Sequence, residues 1–201
     1  LRFVPLLKKL NKRMDKLYDA WAKRNPQWEK RYEEPVMKAF TDYGIGTSKY
    51  QESRGKIFGA GYEAFIVAFF IGLYFGRKKP LVEDRAKLKC YGQPIQYWGN
   101  LENRLGRTSY GQIRKFMFAA LVARTDIDFI GLDKGESTVR KTVDQLIETM
   151  EQYANFGFNY IVEKMEDDQG VFFKEMTFLD LFLSFTEKEE NQENDEEFED
   201  L

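Results

Sequence analysis

The most regular pattern in the chain is a seam of apolar residues near its start. They recur at alternating intervals of four and three positions, with lysines and arginines between them: Phe3, Leu7, Leu10, Met14, Leu17 and Trp21. This spacing predicts one face of an α-helix, ended by Asn25-Pro26, and strict heptads are typical of coiled-coil seams. The seam either docks on this chain's own core or contacts a second subunit.

The middle of the chain contains a segment, residues 65–75, that is apolar on every side. A helix of this kind is buried in protein. Gly76 suits a left-handed C-terminal cap, and Pro80 prevents the helix from continuing. The segment is shorter than the roughly 20 residues that a bilayer requires, and Glu63 interrupts it. We therefore predict a central buried helix and no membrane contact.

Weaker signals predict the elements before and after this helix. A second helix is expected over residues 27–43, with a break at Pro35. Glycine-rich connections follow at 43–61 and 82–108, and the second of these has room for a helical turn at 83–89 or a short hairpin.

The second half of the chain reads as three further helices. Residues 109–112 match a capping box for a helix with an apolar face formed by Ile113, Phe116, Met117, Ala120 and Leu121. Ser137 is the expected N-cap of the longest helix, which reaches about residue 165 and has Gly157 as a place for a kink. A short helix is predicted at 177–185.

Together these patterns predict an all-α fold. We expect a single bundle-like domain of six to eight helices over residues 1–186, arranged around the central buried helix. Residues 1–43 supply basic N-terminal helices, and residues 58–186 supply the core. Residues 187–201 are expected to form a disordered acidic tail.

Charge is distributed unevenly along the sequence. The net charge is −2, but residues 187–201 hold nine acidic residues and one lysine, so the preceding 186 residues carry a net charge of +6. The acidic pI therefore belongs to the tail, and the body of the protein is mildly basic.

The absence of histidine excludes several kinds of catalytic site. Ser-His-Asp triads, Cys-His nucleophiles and imidazole-based zinc sites are impossible in this chain. Cys90 is the single cysteine, and the chain does not open on a secretory signal pattern, so we expect a cytoplasmic protein. The glycines at 44–46 and 59–61 do not continue into a phosphate-binding motif, and no cofactor is predicted.

One cluster of carboxylates has the composition of a cation site. It consists of Asp126, Asp128, Asp133 and Glu136. Carboxylates this close in sequence can bind a divalent cation, but acidic residues also stabilise the exposed N–H groups at a helix start. The second interpretation is preferred, and no metal site is predicted.

Basic residues form two concentrations that suit a phosphate backbone. They are Lys8, Lys9, Lys12, Arg13 and Lys16 in the first helix, and Arg77, Lys78, Lys79, Arg85 and Lys87 after the central helix. The nearby aromatic residues Tyr91, Tyr97 and Trp98 would suit base stacking. The competing interpretation is a solvated helix face with a basic C-terminal cap.

Three stretches of the sequence resemble a known family. They are Gly76-Arg-Lys-Lys-Pro-Leu81 with the preceding apolar segment, the apolar segment 116–123, and Tyr153-Ala-Asn-Phe-Gly157. Over residues 58–165 they resemble small helical proteins encoded beside bacterial DNA-phosphorothioation (Dnd) systems. The resemblance implies an accessory role in defence against foreign DNA and transfers no catalytic residue.

Two functions follow from the sequence as hypotheses. The first is a non-catalytic accessory subunit of a bacterial DNA-modification or anti-phage complex, which contacts its protein partners through the seam of the first helix. The alternative is a nucleic-acid-binding protein that uses the basic faces of residues 1–31 and 77–89, with the acidic tail as a competitor. An enzyme that uses the carboxylate cluster and a metal is the least favoured hypothesis.

Overall fold

The computed structural model describes residues 3–41, 57–101, 107–168, 171–173 and 178–185. It is mostly helical, which confirms the predicted all-α class. Contacts within the chain group it into two compact units, Leu1–Phe158 and Asn159–Leu201. The predicted acidic tail, residues 187–201, lies outside the described residues.

Six α-helices are described. They are α1 (Phe3–Ala22), α2 (Gly61–Tyr74), α3 (Ile113–Arg124), α4 (Phe129–Lys134), α5 (Val139–Asp167) and α6 (residues 178–185). None of these described helices is long and apolar enough to cross a membrane.

The helix predicted over residues 27–43 is wrong in its first part. Strand β1 (Gln27–Glu29) pairs antiparallel with β2 (Leu88–Cys90), and a 3-10 turn and a π-helical turn (Glu33–Lys38) follow β1. The backbone of β1 takes its hydrogen bonds from a strand about sixty residues further along the chain. A distant partner of this kind overrides local helical preference, and periodicity alone cannot reveal it.

The central helix is confirmed as α2, and its core-facing side chains Phe65, Phe69 and Ile71 are fully buried. Gly76 adopts the predicted left-handed conformation, with φ of 60°. The N–H of Gly76 donates to the carbonyl of Leu73, and the N–H of Arg77 donates to the carbonyl of Gly72. These two bonds form a Schellman motif, which ends the helix and satisfies its last carbonyls.

Helices α2 and α5 cross with their backbones in contact. A Cβ atom added to Gly157 would lie 1.9 Å from the carbonyl oxygen of Ala68, and one added to Gly72 would lie 2.1 Å from that of Tyr153. Helix α5 continues through Gly157 without a break in its assignment. Both glycines are therefore required because no side chain fits between the two helices.

Two predicted helix starts differ from the structure. The hydroxyl of Ser109 accepts the N–H of Leu101 and does not cap α3, which begins at Ile113. In α5 the N-cap is Thr138, whose Oγ1 accepts the N–H of Lys141, and not Ser137. Ser109 and Thr138 each accept a backbone N–H, but only Thr138 stands directly before the first helical residue. The position at which the backbone enters the helix decides which residue is the N-cap.

The second compact unit contains the helix predicted at 177–185, which is described as α6. A 3-10 turn (Val171–Phe173) precedes α6, and the rings of Phe172 and Phe178 stack with centroids 4.9 Å apart. This stacking gives the unit its own aromatic contact.

Candidate protein-docking groove

An apolar groove lies between α1 and α3 in the first compact unit. Its volume is about 470 Å³. It is lined by Met14, Asp15 and Tyr18 of α1 and by Lys115, Phe118, Ala119, Val122 and Ala123 of α3. Most of these side chains are apolar, and the two charged ones have opposite signs and come from opposite helices. We call this feature the α1–α3 groove.

An aromatic cluster fixes the walls of the α1–α3 groove. The ring centroid of Phe118 lies 5.3 Å from that of Tyr18 and 5.4 Å from that of Trp21. Trp21 and Phe118 are buried, so these contacts anchor the half-buried Tyr18. Aromatic pairs at such distances contribute about 0.5–1.5 kcal/mol each beyond their burial. The groove is therefore formed before any partner binds.

The outer face of α3 extends this apolar surface. Phe116, Ala119 and Ala123 are spaced by three and four residues and so lie on one side of the helix. All three are exposed, and Phe116 has 65% of its surface accessible. The sequence prediction had placed Phe116 in the core-facing stripe, and that is wrong, because Phe118 takes the buried position instead. An exposed apolar stripe of this kind is typical of an interaction surface.

The predicted partner-binding residues divide into two groups. Leu17 and Trp21 are 1% and 0% exposed and pack in the interior, so the C-terminal half of the seam docks on this chain's own core. Met14 is half-buried and lines the α1–α3 groove. The side chains of Phe3, Leu7 and Leu10 lie outside what the structure describes.

The α3 side of the groove was not identified as a binding surface from the sequence. Residues 116–123 contain no polar side chain, but the predicted apolar face assigned only Phe116, Met117, Ala120 and Leu121 among them to the core. That lack of polarity was the available signal, because a helix with no polar side has more apolar surface than one core can cover.

The predicted nucleic-acid-binding residues divide between α1 and the loop that joins α2 to β2. Arg77, Lys78, Arg85 and Lys87 are exposed there, and the pairing of β1 with β2 places this loop beside Arg31. Lys12, Arg13 and Lys16 lie on α1, and the side chains of Lys8 and Lys9 are outside the described part. We call residues 77–89 the basic loop.

A buried polar cluster holds the basic loop on α5. The side-chain amide nitrogen of Asn155 lies 3.2 Å from the carbonyl oxygen of Lys79, 2.9 Å from that of Pro80 and 2.9 Å from Glu29 Oε1. Glu29 Oε1 also accepts the N–H of Val82, at 3.1 Å. Both Glu29 and Asn155 are buried.

An arginine balances the buried charge of this cluster. The Nε atom of Arg31 lies 2.6 Å from Glu29 Oε2, and the Arg31 side chain is half exposed. A buried carboxylate is costly unless it is paired and hydrogen-bonded, and Glu29 has both kinds of partner. The cluster thus explains the Gly-Arg-x-x-Pro-Leu and Tyr-Ala-Asn-x-Gly stretches as one architectural unit.

Two of the three aromatic residues expected to stack on bases pack against other aromatic rings of the protein. Trp98 is fully buried and stacks on Tyr62 with ring centroids 5.4 Å apart. Tyr91 packs against Trp28 and Trp98, at 5.9 Å from each ring centroid. Tyr97 is exposed. The basic loop therefore offers charge to a polyanion and little stacking surface.

The carboxylate cluster at residues 126–136 behaves as a helix start. Oδ1 of Asp128 accepts the N–H of Gly131 at 2.7 Å and caps α4. Asp126 and Glu136 are exposed, and the side chain of Asp133 is outside the described part. In the described ranges, no three Asp, Glu, Cys or His side chains are grouped so that they could hold a metal ion.

Glu151 is a half-buried carboxylate on α5 with a raised pKa. Burial raises its pKa to about 7, although the N–H of Gln27 donates to it at 2.7 Å and Arg24 lies nearby. Arg24 pairs with Asp144 at 2.5 Å. Glu151 thus fastens the start of β1 to α5, which is a structural role.

The α1–α3 groove combines a preformed apolar surface with one acidic and one basic side chain, and these are the properties of a binding site for a macromolecular partner. Among the residues that line it there is no pair of reactive groups in hydrogen-bond contact. A comparison of the chain with protein-family models, curated proteins and solved structures finds no match.

Proposed function

We propose that this protein is a non-catalytic accessory subunit that binds an amphipathic helix of another protein in the α1–α3 groove. The observation that carries the proposal is the exposed stripe of Phe116, Ala119 and Ala123 beside a preformed apolar groove. A large apolar groove without converging reactive groups favours binding over chemistry.

The shape of the surface favours a helix as the occupant. Two antiparallel or parallel helices separated by a groove accept a third helix whose apolar residues recur at i, i+3, i+4 and i+7. Ala119 and Ala123 are small, so the backbone of a partner helix can approach α3 closely. Phe116 then packs against the partner helix beyond the alanines.

Charge selects among possible helices. Asp15 lies on the α1 wall and Lys115 on the α3 wall. A helix with a basic flank towards α1 and an acidic flank towards α3 pairs with both residues, and the opposite orientation places like charges together. This complementarity fixes the direction of the bound helix more than it adds affinity.

The resemblance to proteins of DNA-phosphorothioation systems supports a setting for this role. The partner is then another subunit of a bacterial DNA-modification or anti-phage defence assembly. Two of the stretches that carry the resemblance, Gly76–Leu81 and Tyr153–Gly157, build the α2–α5 contact, and the third, residues 116–123, forms the α3 wall of the α1–α3 groove.

Site-specific photo-crosslinking tests the proposal. The chain is co-expressed with the products of its flanking genes, with a photo-crosslinking amino acid at Ala119 or Ala123. Matched controls carry it at Asp144 or Glu148, which are exposed on α5. We expect one flanking gene product to crosslink from the α3 positions and not from the α5 positions. Equal crosslinking from both helices, or from α5 alone, would refute the docking site.

Nucleic-acid binding by the basic loop is the second candidate function. It is favoured by the exposure of Arg77, Lys78, Arg85 and Lys87 on a loop that Asn155 holds in place. If the loop contacts phosphates, removing two arginines lowers the salt dependence of duplex binding by about two counterions. Deleting residues 187–201 should strengthen binding. No duplex binding at low salt by the tail-deleted chain would exclude this function.

A further inference from the structure

A second cavity lies at the start of α2. Its volume is about 230 Å³. It is lined by Phe58, Glu63, Ile66, Val67, Arg107, Tyr110 and Ile113. Four of these side chains are apolar, and the other three form a polar end, where Arg107 and Tyr110 both contact the carboxylate of Glu63. We call it the Glu63 cavity.

The polar end is organised around a buried carboxylate. Glu63 is 5% exposed. Its Oε2 accepts the N–H of Gly59 at 2.7 Å, and its Oε1 accepts the hydroxyl of Tyr110 at 2.5 Å. The Nη2 atom of Arg107 lies 2.9 Å from Oε1 and 3.0 Å from Oε2. Both carboxylate oxygens of Glu63 therefore already accept hydrogen bonds from groups of the protein itself.

Arg107 has donors that this cluster does not use. It contacts Glu63 through Nη2, and with the residues that the structure describes its Nε and Nη1 make no hydrogen bond. The Arg107 side chain is about one-third exposed and lines the cavity. A guanidinium in this position presents N–H groups to a ligand and has no acceptor to offer.

The hydroxyl of Tyr110 acts as a hydrogen-bond donor to Glu63 and does not become a phenolate that could accept strongly from a ligand. Burial, followed by its hydrogen bond to Glu63, raises the pKa of Tyr110 well above its ordinary value. The hydroxyl therefore keeps its proton and donates it to Glu63. Of the three polar side chains, Arg107 is therefore the one with N–H groups left to donate. The cavity selects a ligand whose polar group is a hydrogen-bond acceptor.

The size of the cavity limits the apolar part of that ligand. An apolar cavity of about 150 Å³ holds one benzene molecule. A cavity of about 230 Å³ thus accommodates one six-membered ring and a short side chain. Ile66, Val67 and Ile113 supply apolar walls for such a ring.

We propose that the Glu63 cavity binds a small aromatic monocarboxylate, with the ring against Ile66, Val67 and Ile113 and the carboxylate on Arg107. A carboxylate is favoured because Arg107, although it is paired with Glu63, still presents N–H groups to the cavity, and a guanidinium forms stronger hydrogen bonds with a carboxylate than with a neutral acceptor. This site is separate from the α1–α3 groove and does not depend on the docking function.

The test is ligand binding to the full chain, with phenylacetate as the probe and phenethylamine as its cationic counterpart. At ten times its Kd, phenylacetate should raise the Tm by about 3–6 °C. Phenethylamine should not raise it. No shift with phenylacetate, or an equal shift with phenethylamine, would overturn the proposal.

Two variants locate the site. Val67→Trp fills the cavity and leaves the polar cluster intact, so it should abolish the phenylacetate effect. Arg107→Lys keeps the charge beside Glu63 and removes the planar fork, and it should weaken binding about tenfold or more. Arg140→Lys, an exposed change on α5, is the matched control and should bind normally.

Methyl NMR keeps the test decisive if Val67→Trp does not fold. In the unmodified chain, phenylacetate should shift the methyl resonances of Ile66, Val67 and Ile113. Shifts confined to other methyl groups would show that the ligand binds elsewhere and would overturn the assignment.

Discussion

Two helix contacts of the first unit differ in how closely the helices approach each other. Where α2 crosses α5, Gly72 and Gly157 bring the two backbones together, and neither position has room for a methyl group. Where α1 meets α3, Tyr18, Trp21 and Phe118 hold the helices by their side chains. About 470 Å³ of apolar groove remains open there.

The difference shows which contact is architectural and which is available to a partner. At the α2–α5 contact, the amide nitrogen of Asn155 donates to Glu29, whose carboxylate pairs with Arg31, and the helix backbones at Gly72 and Gly157 leave no space for a ligand between them. At the α1–α3 contact, apolar surface is left uncovered by the described residues. The stretches 76–81 and 153–157 belong to the closed contact, whereas the proposed working surface is formed by the seam helix α1 and the apolar stretch 116–123.

The largest expected effect on stability comes from adding a side chain where α2 and α5 are in backbone contact. In Gly157→Ala the new Cβ would meet the backbone carbonyl of Ala68, and the helices must move apart. Overpacking of this kind costs about 3 kcal/mol, which the better helix propensity of alanine offsets by about 1 kcal/mol. Urea denaturation should show a net loss of roughly 2 kcal/mol or more. A stabilised variant would contradict the close crossing.

Asn155→Ala should have a comparable effect, because Asn155 lies between Tyr153 and Gly157 on the α5 side of this contact. It leaves the Glu29 carboxylate and the carbonyls of Lys79 and Pro80 without their shared amide, at a cost of about 2–3 kcal/mol. Trypsin should also cut the basic loop faster. The control is Gln152→Ala, whose amide makes an exposed contact with Glu148 and should change stability by less than about 0.5 kcal/mol. Equal losses in both variants would argue against the cluster.

A smaller effect is expected from pH at Glu151. Its pKa of about 7 in the folded chain lies above the ordinary value of 4.5, so the folded state binds the proton more tightly. Its contribution to stability is complete below about pH 4.5 and is lost as pH rises through 7. Relative to Glu151→Gln, the wild type should lose about 1–3 kcal/mol between pH 4.5 and 8. A difference that does not change with pH would contradict the raised pKa.

Local sequence patterns predicted the parts of the fold that local physics determines. The central helix, its Gly76 cap and the first helix follow from apolar spacing and from backbone preferences of single residues. Strand β1 was missed because its partner is distant in sequence. The role of Gly157 was missed because a glycine in a helix does not reveal which backbone approaches it.

The candidate sites were harder to predict for the same reason. Glu63 is more than forty residues away from both Arg107 and Tyr110, and it meets them because of the tertiary fold. The α1–α3 groove depends on which side of α3 is buried, and the apolar run at residues 116–123 has no polar residue to mark that side. The heptad seam indicated an interaction surface on α1, and of its described members Met14 lines the groove.

Ala123→Arg tests most directly whether a partner docks in the α1–α3 groove. It should have the smallest effect on the stability of the chain and the largest effect on partner binding. Ala123 is exposed, so the variant should keep its unfolding midpoint, with a change of less than about 0.5 kcal/mol. Binding to the flanking gene product that crosslinks at Ala119 should fall at least tenfold by titration calorimetry. Binding that is unchanged in this folded variant would contradict the α1–α3 groove as the docking site.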